Sequence, residues 1–92
     1  MRRIHKSVCL PNDVGRVIVF AWNLNSEQDE NLVCIEPDKR VRWKARLPTK
    51  DAGDCFVDVE LEGNLIRANS WSCHTVWLDP LTGETVRTQF TK

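Results

Sequence analysis

The chain has 92 residues, with 13 basic and 13 acidic side chains and no net charge. That length allows one domain with a modest core. The balance of charge argues against a nucleic-acid or membrane-surface role, both of which favour a basic excess. No apolar run approaches the roughly 20 residues that cross a bilayer.

The chain opens Met1-Arg2-Arg3-Ile4-His5-Lys6, a start that resembles a signal-peptide n-region. Pro11, Asn12, Asp13, Gly15 and Arg16 then interrupt any apolar stretch, so a cytoplasmic chain is expected. Its four cysteines, Cys9, Cys34, Cys55 and Cys73, are expected to be reduced. Ile4 to Leu10 is a weak strand candidate broken by Pro11-Asn12-Asp13, and residues 1–14 are expected to be weakly ordered. Val17 to Trp22 is β-branched and aromatic and reads as a strand. Asn23 to Asn31 reads as a polar loop, and Leu32 to Glu36 as a short strand.

Period-2 alternation then dominates. In Arg40 to Leu47 the residues Val41, Trp43, Ala45 and Leu47 share one face, and Arg40, Arg42, Lys44 and Arg46 share the other. Cys55 to Glu62 repeats the pattern with opposite charge: Cys55, Val57, Val59 and Leu61 against Asp58, Glu60 and Glu62. Antiparallel pairing of these two segments through the loop Pro48 to Asp54 would set Lys44 opposite Asp58, Arg42 opposite Glu60 and Arg40 opposite Glu62. Further strands are expected at Leu65 to Trp71, Thr75 to Asp79 and Thr85 to Phe90. Gly63-Asn64, Ser72-Cys73 and Pro80-Leu81-Thr82-Gly83 supply the turns. The whole is an all-β, antiparallel up-and-down meander of seven or eight short strands, in a single domain spanning residues 1–92.

One formula occurs twice. Leu32-Val33-Cys34-Ile35-Glu36-Pro37 runs through a polar turn into Val41-Arg42-Trp43. Thr75-Val76-Trp77-Leu78-Asp79-Pro80 runs through Leu81-Thr82-Gly83 into Thr85-Val86-Arg87. The copies are separated by about the length of one propeller blade, roughly 40–45 residues. Strand, acid-Pro turn and Val-x-Trp resemble the repeat of β-propeller proteins of the pyrroloquinoline-quinone dehydrogenase type. Lys39 stands where that family's turn has Gly, and Arg87 where it has Trp. The resemblance covers residues 17–90 and implies propeller-blade-like local structure. It carries over neither quinone-binding nor metal-ligand residues, and no cofactor is expected.

Two arrangements fit these elements. One is a pair of four-stranded blades, over residues 4–47 and 55–90, linked by residues 48–54. The other is one strongly curved sheet or barrel-like closure. Four strands about 4.8 Å apart span roughly 14 Å, and three residues reach only about 10 Å. Glu62-Gly63-Asn64 therefore cannot cross a blade, whereas Pro48 to Asp54 can. The charge ladder favours the single sheet and the repeat favours the two blades; the single, strongly curved sheet or barrel-like closure is the expected form.

Trp43 lies on an apolar face and reads as core. Trp22 and Trp71 each end a strand beside polar residues, and Trp77 has the opposite parity to Val76 and Leu78. Trp22, Trp71 and Trp77 are therefore the candidate binding residues, an aromatic platform for a partner chain, peptide or sugar. Cys73 and His74 are adjacent on a strand and point to opposite faces, so they do not form a nucleophile–base pair. Cys34, Cys55, Cys73 and His74 lack zinc-knuckle spacing. The expected function is a non-enzymatic interaction domain that binds protein or self-associates as a homo-oligomer. The alternative is a small-ligand or carbohydrate binder using the tryptophans. Neither a nucleic-acid nor a membrane partner is expected.

Overall fold

The computed structural model describes residues 3–11, 14–22 and 28–91. Eight strands follow in chain order: β1 (Ile4–Cys9), β2 (Arg16–Phe20), β3 (Leu32–Ile35), β4 (Val41–Lys44), β5 (Phe56–Glu62), β6 (Leu65–Ser70), β7 (His74–Leu78) and β8 (Thr85–Phe90). Consecutive strands pair antiparallel in two four-stranded sheets, β1-β2-β3-β4 and β5-β6-β7-β8. The expected all-β meander is present, and the chain divides between β4 and β5 rather than running through one sheet or closing into a barrel. Ile4–Cys9, within the segment expected to be weakly ordered, pairs along β2. Residues 1, 2, 12 and 13 of that segment, and residues 23–27 of the expected polar loop, lie outside the described residues.

The two copies of the repeated formula occupy equivalent corners, the β3–β4 turn and the β7–β8 turn. In the first, Glu36 N–H donates to the Arg40 carbonyl at 2.8 Å and Lys39 N–H to the Glu36 carbonyl at 2.8 Å. In the second, Asp79 N–H donates to the Glu84 carbonyl at 2.9 Å and Gly83 N–H to the Asp79 carbonyl at 2.7 Å. Lys39 at φ 73° and Gly83 at φ 75° take the same left-handed conformation. The lysine thus adopts there a backbone shape that glycine adopts without a Cβ penalty.

The charge ladder does not form, because β4 and β5 belong to different sheets. Asp58 instead accepts from Lys6 Nζ of β1 at 2.9 Å. Glu60 pairs with Arg67 of the adjacent β6, which also reaches Glu62 at 3.1 Å. Arg42 turns to Glu36 at 3.1 Å, and Arg40 to Asp38 at 2.7 Å. Three exposed cross-strand pairs contribute about 0.2–1 kcal/mol each. One fully buried Leu, Ile or Phe contributes about 1.5–3 kcal/mol. Bringing two apolar sheet faces together outweighs lining up two charged ones.

Those faces meet in one core. Val17, Val19, Leu32, Cys34, Trp43 and Ala45 come from the first sheet, and Phe56, Val59, Ile66, Ala68, Val76 and Leu78 from the second. β5 packs beside β1 and β2. On the other flank, Trp43 Nε1–H donates to the Pro80 carbonyl at 2.9 Å, beneath the β7–β8 turn. Bulges adjust which residues enter this core. A register shift between Phe56 and Asp58 turns both Phe56 and Val59 inward, breaking the strict alternation expected of β5. A second shift, opposite Cys34 and Ile35, leaves Val41 exposed while Trp43 and Ala45 stay buried.

Asn31 joins the sheets. It is fully buried. Its Nδ2 donates to the Phe20 carbonyl at 2.7 Å and to the Phe56 carbonyl at 2.8 Å, and its Oδ1 accepts Phe56 N–H at 2.8 Å. One amide side chain thereby links the end of β2 to the start of β5, beside an isolated parallel bridge between Asp29 and Cys55 in which Asp29 N–H donates to the Asp54 carbonyl at 2.9 Å.

Candidate functional site

The three candidate tryptophans have different surroundings. Trp22 is half-buried against the core, and the His5 ring stands edge-on to it with centroids 4.8 Å apart. Trp77 lies on the polar face of the second sheet. The Arg87 guanidinium sits over its ring, 4.6 Å from the centroid, and its Nε1–H donates to Glu62 at 2.5 Å. A cation on that face occupies the surface a sugar ring or base would stack on. Trp71 is 54% exposed in the β6–β7 turn. Of the three, Trp71 keeps the most open indole.

The turn that carries Trp71 is held by Asp54, which is buried at the end of the inter-sheet linker. Asp54 Oδ1 accepts the N–H groups of Cys55 at 3.0 Å and Ser72 at 3.1 Å. Its Oδ2 accepts the hydroxyls of Thr49 at 2.7 Å and Ser72 at 3.0 Å. Ser72 Oγ also lies 2.8 Å from Ser70 Oγ and 3.1 Å from His74 Nδ1. These are the residue types of a hydrolytic triad in another order. The serine sits between acid and histidine and gives its one proton to Asp54. With that proton turned to Asp54, the hydroxyl does not point at His74 as a triad serine points at its base. The cluster fastens the β6–β7 turn to the linker.

The cysteines follow their burial. Cys34 and Cys55 are buried, and Cys9 and Cys73 are exposed. Burial pushes the Cys55 thiol up to about 11, with the Asp54 and Asp29 carboxylates adding to it. Burial likewise raises Cys34, against a smaller opposing pull from Arg42. Both shifts run against the thiolate form that a nucleophile needs. Cys73 sits at φ 65° with its Sγ 3.9 Å from the Trp71 carbonyl, not turned to His74. Among the described residues no group of three His, Cys, Asp or Glu side chains could hold a metal ion. A cleft of about 500 Å³ in the first sheet is lined by Leu10, Ile18 and Ile35 together with Arg16, Glu36 and Lys39.

The remaining feature is β8. It is an outer strand of the second sheet, and all six of its residues are exposed. The other sheet edges are more protected. β1 and β5 lie against each other, joined by the Lys6–Asp58 ion pair. β4 carries Arg42 and Lys44, and its Trp43 is tucked under the β7–β8 turn. On β8, Val86 is 56% and Phe90 58% exposed. Beyond its end, Thr91 N–H and hydroxyl both donate to the Cys73 carbonyl, at 2.8 and 2.9 Å. This ties the strand to the turn that presents Trp71. Antiparallel pairs alternate between hydrogen-bonded and non-bonded. With Thr91 bonded inward, and register pairs Gln89↔Thr75 and Arg87↔Trp77, the backbone groups of Thr88 and Phe90 point away from β7. The sequence marks this strand but not which of its edges is left open.

No curated protein and no solved structure matches this chain. Residues 3–90 match a family described as a domain of unknown function, DUF7957, and by that coverage the chain belongs to the DUF7957 family.

Proposed function

We propose that this domain is a non-enzymatic protein-binding module that takes up an extended segment of its partner at the β8 edge. The carrying observation is an edge strand exposed along its whole length, with outward backbone groups at Thr88 and Phe90. Such an edge is a template for strand addition, in which main-chain hydrogen bonds supply affinity and alternate side chains supply selectivity. Phe90 and Trp71 add aromatic surface of the kind enriched at interfaces. The repeated corner turns support reading the two sheets as related blade-like units, as the resemblance to quinoprotein propellers implies. The alternative, a carbohydrate platform, is weakened by the ring partners of Trp22 and Trp77.

Amide hydrogen exchange at Thr88 and Phe90 tests the reading. It is followed in the protein alone at high concentration, and at low concentration with a synthetic peptide of the sequence TVRTQFT or a scrambled version. Slowed exchange at both amides, alone or with the ordered peptide, supports strand addition. Free-coil exchange under all of these conditions refutes it.

A further inference from the structure

β8 can pair with itself, and the pairing selects one register. An antiparallel, two-fold partner must place outward residues opposite outward residues. A bulge opposite Trp77 and Leu78 disturbs the strand at Val86, so its regular stretch runs from Arg87 to Thr91. The register centred on Arg87 sets two guanidinium groups directly opposite, which is destabilising. The register centred on Thr88 recruits the bulged Val86, and the register centred on Phe90 sets Thr88 opposite residue 92, outside the described residues. The register centred on Gln89 uses the regular stretch alone. It pairs Gln89 with Gln89 of the second copy across the axis, Thr88 with Phe90 and Arg87 with Thr91.

Resting on the strand-addition reading, we infer that the occupant of the β8 edge is a second copy of this chain, paired antiparallel about Gln89. In this register the outward N–H and C=O groups of Thr88 bond those of Phe90 in the other copy, and the reverse. Phe90 packs on the threonine methyl opposite, and the two Phe90 rings are diagonal neighbours within aromatic reach. On the polar face, two Gln89 amides meet on the axis, where each donates to and accepts from the other. Arg87 stays on its Trp77 ring, 4.6 Å away, and faces an uncharged threonine. No like charges oppose, and no bulged residue takes part. The two β5-to-β8 sheets become one continuous eight-stranded sheet.

Two measurements on the full chain test this. The first is absolute mass by light scattering over a hundredfold concentration range, for the wild type and Gln89→Arg. Gln89 is an exposed edge residue, so the variant leaves the fold intact. It also sets two cations face to face on the axis. The wild type is expected to double its 10.6 kDa mass. Gln89→Arg is expected to raise the dimer dissociation constant about tenfold or more. The second is disulfide trapping in a Cys9→Ser/Cys73→Ser background. Gln89→Cys places two thiols on the axis at a non-hydrogen-bonded pair, about 4.5 Å between Cα atoms, within disulfide range. It is expected to cross-link quickly. Arg87→Cys would be on the axis only in the competing register. Here its copies lie about 13 Å apart along the strands, and it should not cross-link. A wild type that stays monomeric, a Gln89→Arg dimer of unchanged affinity, or cross-linking of Arg87→Cys as fast as Gln89→Cys overturns the inference. A monomer whose Thr88 and Phe90 amides are nevertheless protected by the added peptide removes only the second copy as partner. A monomer whose edge ignores the peptide removes both.

Discussion

Asn31→Ala is the most informative single change to the fold. The side chain is fully buried and makes three hydrogen bonds, to the Phe20 carbonyl and to both backbone groups of Phe56. Truncation strips the start of β5 of its link to the end of β2. A neutral hydrogen bond contributes about 0.5–1.5 kcal/mol net, and a buried group left unpaired costs about 1–3 kcal/mol. Losing all three bonds, with Phe56 N–H and C=O inside the core, should cost about 3–5 kcal/mol. A domain of this size is stable by about 5–14 kcal/mol in all. Asn31→Asp separates hydrogen bonding from shape. It keeps the volume and the acceptor for Phe56 N–H but turns an oxygen towards two carbonyls, and should cost at least as much at pH 7. Urea unfolding followed by tryptophan fluorescence measures both, with the slope m unchanged if only stability moves. A loss below about 1 kcal/mol for Asn31→Ala, or a tolerated Asn31→Asp, would refute the view that this amide joins the sheets.

Three other outcomes follow from particular contacts. Gly83→Ala should destabilise by about 2 kcal/mol or more, because left-handed backbone disfavours a Cβ and the added carbon would sit 2.5 Å from Trp43 Cδ2; an unchanged unfolding midpoint would contradict this. In a thiol-reagent assay at pH 8, Cys9 and Cys73 should react quickly, and Cys34 and Cys55 only on unfolding; four equally fast thiols would show the core is not closed over them. Partial burial pushes the Asp58 carboxyl up, but the Lys6 bond, the Val59 N–H and nearby positive charge outweigh it and hold it below its ordinary value. A depressed carboxylate stabilises the fold above its unfolded value, about 3.9, and that contribution is lost as pH falls through the lowered folded value. Lys6→Met should therefore cost stability at pH 7, by no more than about 0.2–1 kcal/mol for so exposed a pair, and cost nothing once Asp58 is protonated, so that the acid limb of the stability curve flattens; an identical acid limb would rule the pair out as its source.

Much of the architecture was legible because strand signals are local. Alternation, β-branched runs and Gly or Pro turns located Arg16–Phe20, Leu65–Ser70 and Thr85–Phe90 within a residue or two. The doubled acid-Pro formula marked the equivalent corners at Glu36–Arg40 and Asp79–Glu84. Parity failed at the bulges. Phe56 and Val59 both turn inward because an extra residue shifts the face, and a bulge is written in the pairing of two strands rather than in either one. The candidate tryptophans were visible as residues, but their partners were not. His5 reaches Trp22 and Arg87 reaches Trp77 through strand pairing, which no spacing rule encodes.

By itself, then, the sequence determined seven or eight short antiparallel strands in order, their turns and many of their inward residues, since these rest on backbone preferences and on side chains alternating every two residues. Only the tertiary structure decided that the meander breaks into two sheets, that Lys6 rather than Lys44 meets Asp58, and that Asn31, in an apparently polar loop, is buried. It also decided that β8 is left with an open edge. These outcomes depend on which apolar faces meet. The burial at stake exceeds the weak exposed charge pairs that the alternation had suggested.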